Sequence, residues 1–202
     1  MRLKLLVFII LLIPFTGFAK EKPYIILDAG HGGKDQGAKV SNLEEKKLTL
    51  RTTYLTKKHL ELLGYRVILT RARDVFLPLS TRVVIANTRN PSLFVSIHYN
   101  SAKSPAAKGI EVYYYGSVAG KRREQSRKLA SSILDQMIKE TKASSRGVKK
   151  GNFQVIRETS MPAVLVEAGF MTNSEERAHL HSQHYLDQLA KGIADGIDKY
   201  VK

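Results

Sequence analysis

Tyr24-Ile25-Ile26-Leu27-Asp28-Ala29-Gly30-His31-Gly32-Gly33 decides how this chain is read. A short β-branched and aromatic run breaks off into an acid, a histidine and three glycines, the pattern of a buried strand feeding a loop. A second stretch repeats the theme, with Leu93 to Ile97 largely apolar and leading into His98-Tyr99-Asn100. The carboxyl edge of parallel strands is where open α/β sheets bind ligands. Two imidazoles there, joined by a carboxylate, make the donor set of a hydrolytic zinc site.

The rest of the chain alternates strand and helix patterns around these two stretches. From Leu43 to Leu63 the apolar positions Leu48, Tyr54, Leu55, Leu60 and Leu63 follow helical spacing, and Gly64 supplies the stop. Tyr65 to Leu69 reads as a strand, Leu79 to Asn87 as a helix, and Gly109 to Tyr115 as a further strand. Gln125 to Ile138 reads as a helix, Phe153 to Ile156 and Ala163 to Val166 as short strands, and Tyr185 to Val201 as a closing amphipathic helix. This alternation predicts one α/β domain, with a mostly parallel or mixed sheet of about six strands flanked by helices. His31, His98 and Glu167 each directly follow a predicted strand, so they are expected to converge on one sheet edge.

Composition bounds the functions this fold can serve. Arg2 and Lys4 precede an apolar run from Leu5 to Ile13, followed by Pro14 and the small-residue stretch up to Ala19, the layout of a secretory signal peptide. Residues 1–19 are therefore expected to be the signal, and 20–202 the catalytic domain. A retained N-terminal anchor is the alternative. The chain has no cysteine, so a metal must be held by histidine and carboxylate. Its formal charge is +15, and about +13 without Arg2 and Lys4. The basic residues are spread over helical faces, with no long tail and no interleaved aromatic series, which argues against nucleic acid and for anionic envelope polymers.

Each candidate site residue has a functional and a plain reading. The third ligand is expected from Glu44-Glu45, which opens the helix after the glycine-rich loop; equally, both could simply complement a helix N-terminus. The glycines around His31 free the backbone for close approach to a ligand. They lack both the Gly-x-Gly-x-x-Gly spacing and the Lys-Ser/Thr ending of a phosphate loop. Glu167 ends the apolar run Val164-Leu165-Val166, where an unpaired carboxylate is costly, so it reads either as a general base or as half of a buried salt bridge, for instance to Arg157.

Four ordered motifs resemble the zinc-dependent N-acetylmuramoyl-L-alanine amidases that cleave bacterial peptidoglycan. They are Ile26 to Ala38, Glu45-Lys46 followed by Leu48 and Leu50, Val95 to Asn100, and Phe153 to Arg157 with Met161 to Asn173. Together they span nearly the whole mature chain. The resemblance implies that His31, Glu45 and His98 bind Zn2+ and that Glu167 is catalytic. It implies hydrolysis of the amide between the lactyl group of N-acetylmuramic acid and L-alanine. Asn100 and Arg157 are the candidate substrate-binding residues.

The expected partners are peptidoglycan, anionic envelope polymers met through the basic surface, and an unidentified recruiting or activating protein. The expected location is the periplasm or the extracellular cell wall. Some family members carry a long insertion with a helix that blocks the zinc site before the helix that follows the fourth strand. Gly116 to Glu124 is too short for one, so an open site is expected. The rival functions are a zinc peptidase cutting within the stem peptide and a non-catalytic peptidoglycan binder. The binder should lack a ligand or the base, and neither is missing.

Overall fold

In the computed structural model, which describes residues 24–117 and 120–202, strand β1 (Tyr24–Ala29) lies one strand in from an edge of a six-stranded mixed sheet. Its neighbours are β4 (Arg66–Leu69) and β5 (Leu93–Asn100), both parallel to it. Next to β5 lies β8 (Ala163–Phe170), also parallel, followed by β6 (Ile110–Tyr114), antiparallel to β8, and β7 (Ser145–Lys150) at the edge. Two short strands, β2 (Lys39–Val40) and β3 (Leu43–Glu44), form a separate ribbon before the first helix.

Successive strand residues face opposite sides, so the sheet has two cores. Ile25, Leu27, Val95, Ile97, Val112, Val164 and Val166 face one way, toward α1 (Glu45–Leu62), α3 (Lys121–Thr141) and α6 (Gln183–Val201). Ile26, Phe94, Ala163 and Leu165 face the other way, toward Ala86 of α2 (Leu79–Arg89) and Val155 and Ile156 of α4 (Gln154–Arg157). Both faces of the central strands are thus covered, which is why they read as apolar runs.

Three features depart from the sequence reading. Phe153 to Ile156 is not a strand: Ile156 and Arg157 donate to the Phe153 carbonyl, and the segment makes the turn of helix α4. A four-residue apolar run carries no period that separates strand from helix, and the turn buries the consecutive Val155 and Ile156 together. Strand β7 and helix α5 (Ser174–Leu180) were not anticipated. Ser-Arg-Gly-Val-Lys-Lys is a polar edge strand, and such edges carry charge rather than an apolar signature. Finally, β5 and β8 run past their apolar cores, so His98 and Glu167 lie within strands rather than after them. The expected signal peptide, residues 1–19, lies outside the described residues.

Candidate active site

His31 follows β1 by two residues and takes a left-handed backbone, φ +60°, uncommon for a side chain with a Cβ. The loop is held from both ends. Gly30 N donates to the Ile97 carbonyl at 3.1 Å, and Arg82 Nη2 donates to the His31 carbonyl at 2.7 Å. Gly30 must be glycine, because a Cβ there would stand 2.3 Å from Cε1 of His98. The His31 ring is oriented by Asp35, whose Oδ2 lies 2.9 Å from Nδ1.

Glu45 is the first residue of α1 and is buried. Its Oε1 lies 3.1 Å from His31 Nε2 and 3.1 Å from His98 Nδ1, and also accepts from Tyr99 N. Its Oε2 accepts from Ala38 N at 2.8 Å. Glu44 turns elsewhere, to Lys47 and Lys46. Of the two glutamates the sequence left open, Glu45 is the one among the imidazoles.

One ligand atom from each of His31, Glu45 and His98 falls within 4.8 Å of the others, and the two rings meet edge to face. Burial pushes the Glu45 carboxyl up, but the hydrogen bonds and charge of His31 and His98 outweigh it and hold it well below the usual carboxylate range. Burial lowers His31, and Glu45 and Asp35 more than compensate, so it is raised. Two nitrogens and a carboxylate oxygen, converging with a carboxylate behind one imidazole, fit a zinc ion.

Glu167 stands in register with His98 on the parallel neighbour β5 and with Glu111 on the antiparallel neighbour β6. Its Oε2 is buried without a hydrogen-bond partner. Burial, opposed by the charge of His98 and His31 and aided by that of Glu45 and Glu111, pushes its carboxyl up to about 7. The salt bridge to Arg157 does not form. Arg157 instead donates to Asn152 and Glu158, because α4 turns it away from the sheet edge where a strand would have placed it.

A cleft of about 540 Å³ opens over these residues, lined by His31, Glu45, His98, Asn100, Phe153 and Glu167 among others. Asn100 borders the cleft, and its Nδ2 donates to Glu111. Arg157 does not line it.

The profile of the N-acetylmuramoyl-L-alanine amidase family matches residues 25–199. The chain belongs to that family. It is therefore an enzyme, a hydrolase of amide bonds in peptidoglycan. An uncharacterized protein of Bacillus subtilis, YqiI, is 40% identical over 180 residues, covering 89% of this chain and 85% of the relative. The amidase AmiC of Neisseria meningitidis is 34% identical, with 93% of this chain matched to only 55% of that longer protein. Among solved structures, an amidase from Clostridium difficile superposes with a TM-score of 0.84 at 34% identity, covering 89% of this chain and 97% of that one. AmiC2 of Nostoc punctiforme gives 0.81 at 39% identity, over 88% and 96%.

Several residues around this amidase's cleft were not singled out from sequence. Asp35 lies four positions after His31, a spacing a tight turn brings together: Gly32 and Asp35 exchange backbone hydrogen bonds. Glu111 lies between Ile110 and Val112 in a buried strand, the same sign that drew attention to Glu167. Arg71 and Arg82 are both 2% exposed, and their helix or loop context gives no hint of it.

Proposed function

We infer that this chain is a zinc-dependent amidase that cleaves the bond between N-acetylmuramic acid and L-alanine, with His31, Glu45 and His98 holding the metal and Glu167 moving the proton. The observation that carries the reading is the buried, unpartnered Oε2 of Glu167, one strand away from His98. When bound, zinc supplies Lewis acidity toward the carbonyl and brings the pKa of a water near neutrality.

The chain's own groups do the rest. Asp35 fixes the His31 ring, and the Tyr99 and Ala38 amides fix both oxygens of Glu45. Glu167 takes a proton from the attacking water as its oxygen bonds to the lactyl carbonyl carbon. It gives that proton to the L-alanine nitrogen as the C–N bond breaks. Burial raises this carboxyl above its ordinary value, the direction that a group which both takes and returns a proton requires.

Export through residues 1–19, a location in the periplasm or cell wall, and contact with anionic envelope polymers complete the proposal. Among the described residues no helix is long and apolar enough to cross a membrane. The connection from β6 to α3 is short, spanning residues 115–120, which supports an open site. A CwlD amidase from Clostridioides difficile, 30% identical, is solved in complex with the GerS lipoprotein, so a protein partner belongs to the proposal too.

Zinc stoichiometry and sacculus digestion test the reading on the mature protein beside Glu167→Gln and His98→Ala. We expect Glu167→Gln to keep its zinc and lose roughly 10²–10⁴-fold in rate, and His98→Ala to lose both. Released peptides should begin with a free L-alanine amine. Peptide-internal cuts would instead support the peptidase, and full activity in Glu167→Gln would sink the mechanism.

A further inference from the structure

The polar row that begins at His98 and Glu167 continues across the sheet. Glu111, in register with Glu167, is 2% exposed and accepts from four donors. These are Asn100 Nδ2 at 2.8 Å, the Tyr113 hydroxyl at 2.7 Å, Arg146 Nε at 2.7 Å and Lys149 Nζ at 2.5 Å. One carboxylate faces two cations, so the cluster keeps net positive charge. Burial pushes the Glu111 carboxyl up, and its hydrogen bonds to Lys149, Tyr113 and Arg146 outweigh that, so it stays ionised.

Arg146 and Lys149 belong to the edge strand β7, and about a third of each side chain is open to solvent. Neither uses all its donors on Glu111, since an ammonium has three and a guanidinium five. The cluster reaches the cleft through Asn100, which lines it, and through Tyr113, whose ring packs edge-on against the lining Phe153. A buried carboxylate thus fixes two partly exposed cations next to the cleft, on the strand beyond its lining.

Direction and reach both tie these cations to the leaving peptide. Glu167 must meet the leaving nitrogen, and it stands on the β6 side of His31, Glu45 and His98. A peptide that leaves on the Glu167 side of the cluster would run toward β6 and β7. The opposite flank is lined by Asp35, Phe76, Leu77 and Leu79, and its buried Arg82 is already paired with Asp28. Strands lie about 4.8 Å apart, which puts β7 roughly 10 Å from β8. From the leaving nitrogen, one extended residue covers about 3.5 Å. A carboxylate on the next α carbon lies roughly 3 Å further, and a hydrogen bond of about 3 Å closes the distance. In a peptidoglycan stem that carbon belongs to the second residue, a D-glutamate linked through its side chain, whose α-carboxyl is either free or amidated.

We propose that Arg146 and Lys149, held by Glu111, form a subsite for the free α-carboxylate of the second stem residue and make this enzyme prefer unamidated stems. The proposal rests on the amidase reading. Its test compares two muramoyl tetrapeptides that differ only in whether the second residue carries an α-carboxylate or an α-amide. The wild-type enzyme should favour the carboxylate at least tenfold in kcat/KM, through KM more than kcat.

The Arg146→Gln/Lys149→Gln double variant should bring that ratio to within about twofold of one, and Arg146→Lys should retain most of it. The ratio is internal to each protein, so partial loss of folded enzyme does not distort it. Calorimetry with the released peptides gives a second readout, with the acid expected to bind the wild type more tightly than the amide. A wild-type ratio near one overturns the subsite and leaves the amidase reading standing, whatever the variants do. An unchanged ratio in the double variant overturns it as well. Cleavage of neither substrate at the muramoyl–alanine bond overturns both readings.

Discussion

Asp28 and Arg82 form an ion pair at 2.8 Å with both side chains almost wholly removed from solvent, at 1% and 2% exposure. Asp28 also accepts from Thr70 and Ser96, and Arg82 donates to the carbonyls of Leu77, Ala29 and His31. The pair therefore ties helix α2 to the loop that presents His31. Burial pushes the Asp28 carboxyl up, but the Arg82 charge and the three hydrogen bonds outweigh it and hold it below its ordinary value.

A lowered folded pKa means that this contribution is complete above the unfolded value of about 3.9 and is lost as pH falls through the folded value. Asp28→Asn leaves Arg82 buried without its counter-charge, which costs about 3–5 kcal/mol. At roughly 2–4 °C per kcal/mol for a chain of this size, the melting temperature at pH 7 should drop by about 10 °C. The gap between variant and wild type should narrow as pH falls below about 4, where Asp28 of the unfolded chain takes up a proton that the folded carboxylate still resists. Equal gaps at pH 7 and pH 3 by thermal unfolding would contradict this account.

With a metal bound as proposed, Asp35 would act on it through His31. Its carboxylate holds His31 Nδ1 at 2.9 Å and accepts from Gly37 N, so it sets the ring's orientation and tautomer. Loss of such a partner typically lowers metal affinity by about 10–100-fold. Asp35→Ala should show that loss in competition with a chelator while its melting temperature in the metal-free state stays near wild type, and Asp35→Glu should recover part of it. Unchanged zinc affinity in Asp35→Ala would remove Asp35 from the site.

The fold and the clustering of His31 and His98 at one sheet edge were legible because both rest on local pattern. The apolar runs of β1, β5 and β8 and the helical spacing of α1 and α6 are strong periodic signals. The motif-bearing His31 and His98 sit where those runs end or continue. What could not be read depends on contacts between distant segments. Arg82 is polar at a helical position that a surface would accept, and only the packing of α2 against the His31 loop buries it. Phe153 to Ile156 was misread because four apolar residues satisfy either geometry. The carboxylate row from Glu167 to Glu111 needs the antiparallel register of β6 against β8, and no sequence period encodes register between strands so far apart.

Helices α3 and α6 approach closely because α6 carries Gly192 and Gly196 one turn apart. A Cβ on Gly196 would stand 2.4 Å from the Ile133 Cα, and one on Gly192 would stand 2.6 Å from the Met137 Cα. These are backbone atoms, which cannot swing aside as a side chain would. Alanine is favoured over glycine in a helix by about 1 kcal/mol, yet overpacking of this kind costs about 1–3 kcal/mol. Gly196→Ala should therefore be net destabilising in a denaturant melt, with kcat unchanged because the helices pack on the face away from the cleft. A gain in stability would show that the helices separate readily and that the glycines do not set their spacing.

On the proposed reading, charge would govern how the enzyme meets its polymer. The chain carries about +13 if residues 1–19 are removed, and among the described residues most cations other than the buried Arg71 and Arg82 reach solvent. Attraction of this kind acts over the Debye length, about 10 Å at 0.1 M salt and 3 Å at 1 M. Binding of the Glu167→Gln protein to sacculi, measured by co-sedimentation so that digestion does not intervene, should fall steeply over that range. Contacts within the cleft are short and partly desolvated, so they are screened less. A residual, salt-resistant component should therefore remain, and excess soluble muramoyl peptide should displace it. Stripping teichoic acids or other anionic polymers from the sacculi should remove the salt-sensitive component and spare the resistant one. Binding that ignores both salt and stripping would show that the basic surface plays no part in attachment.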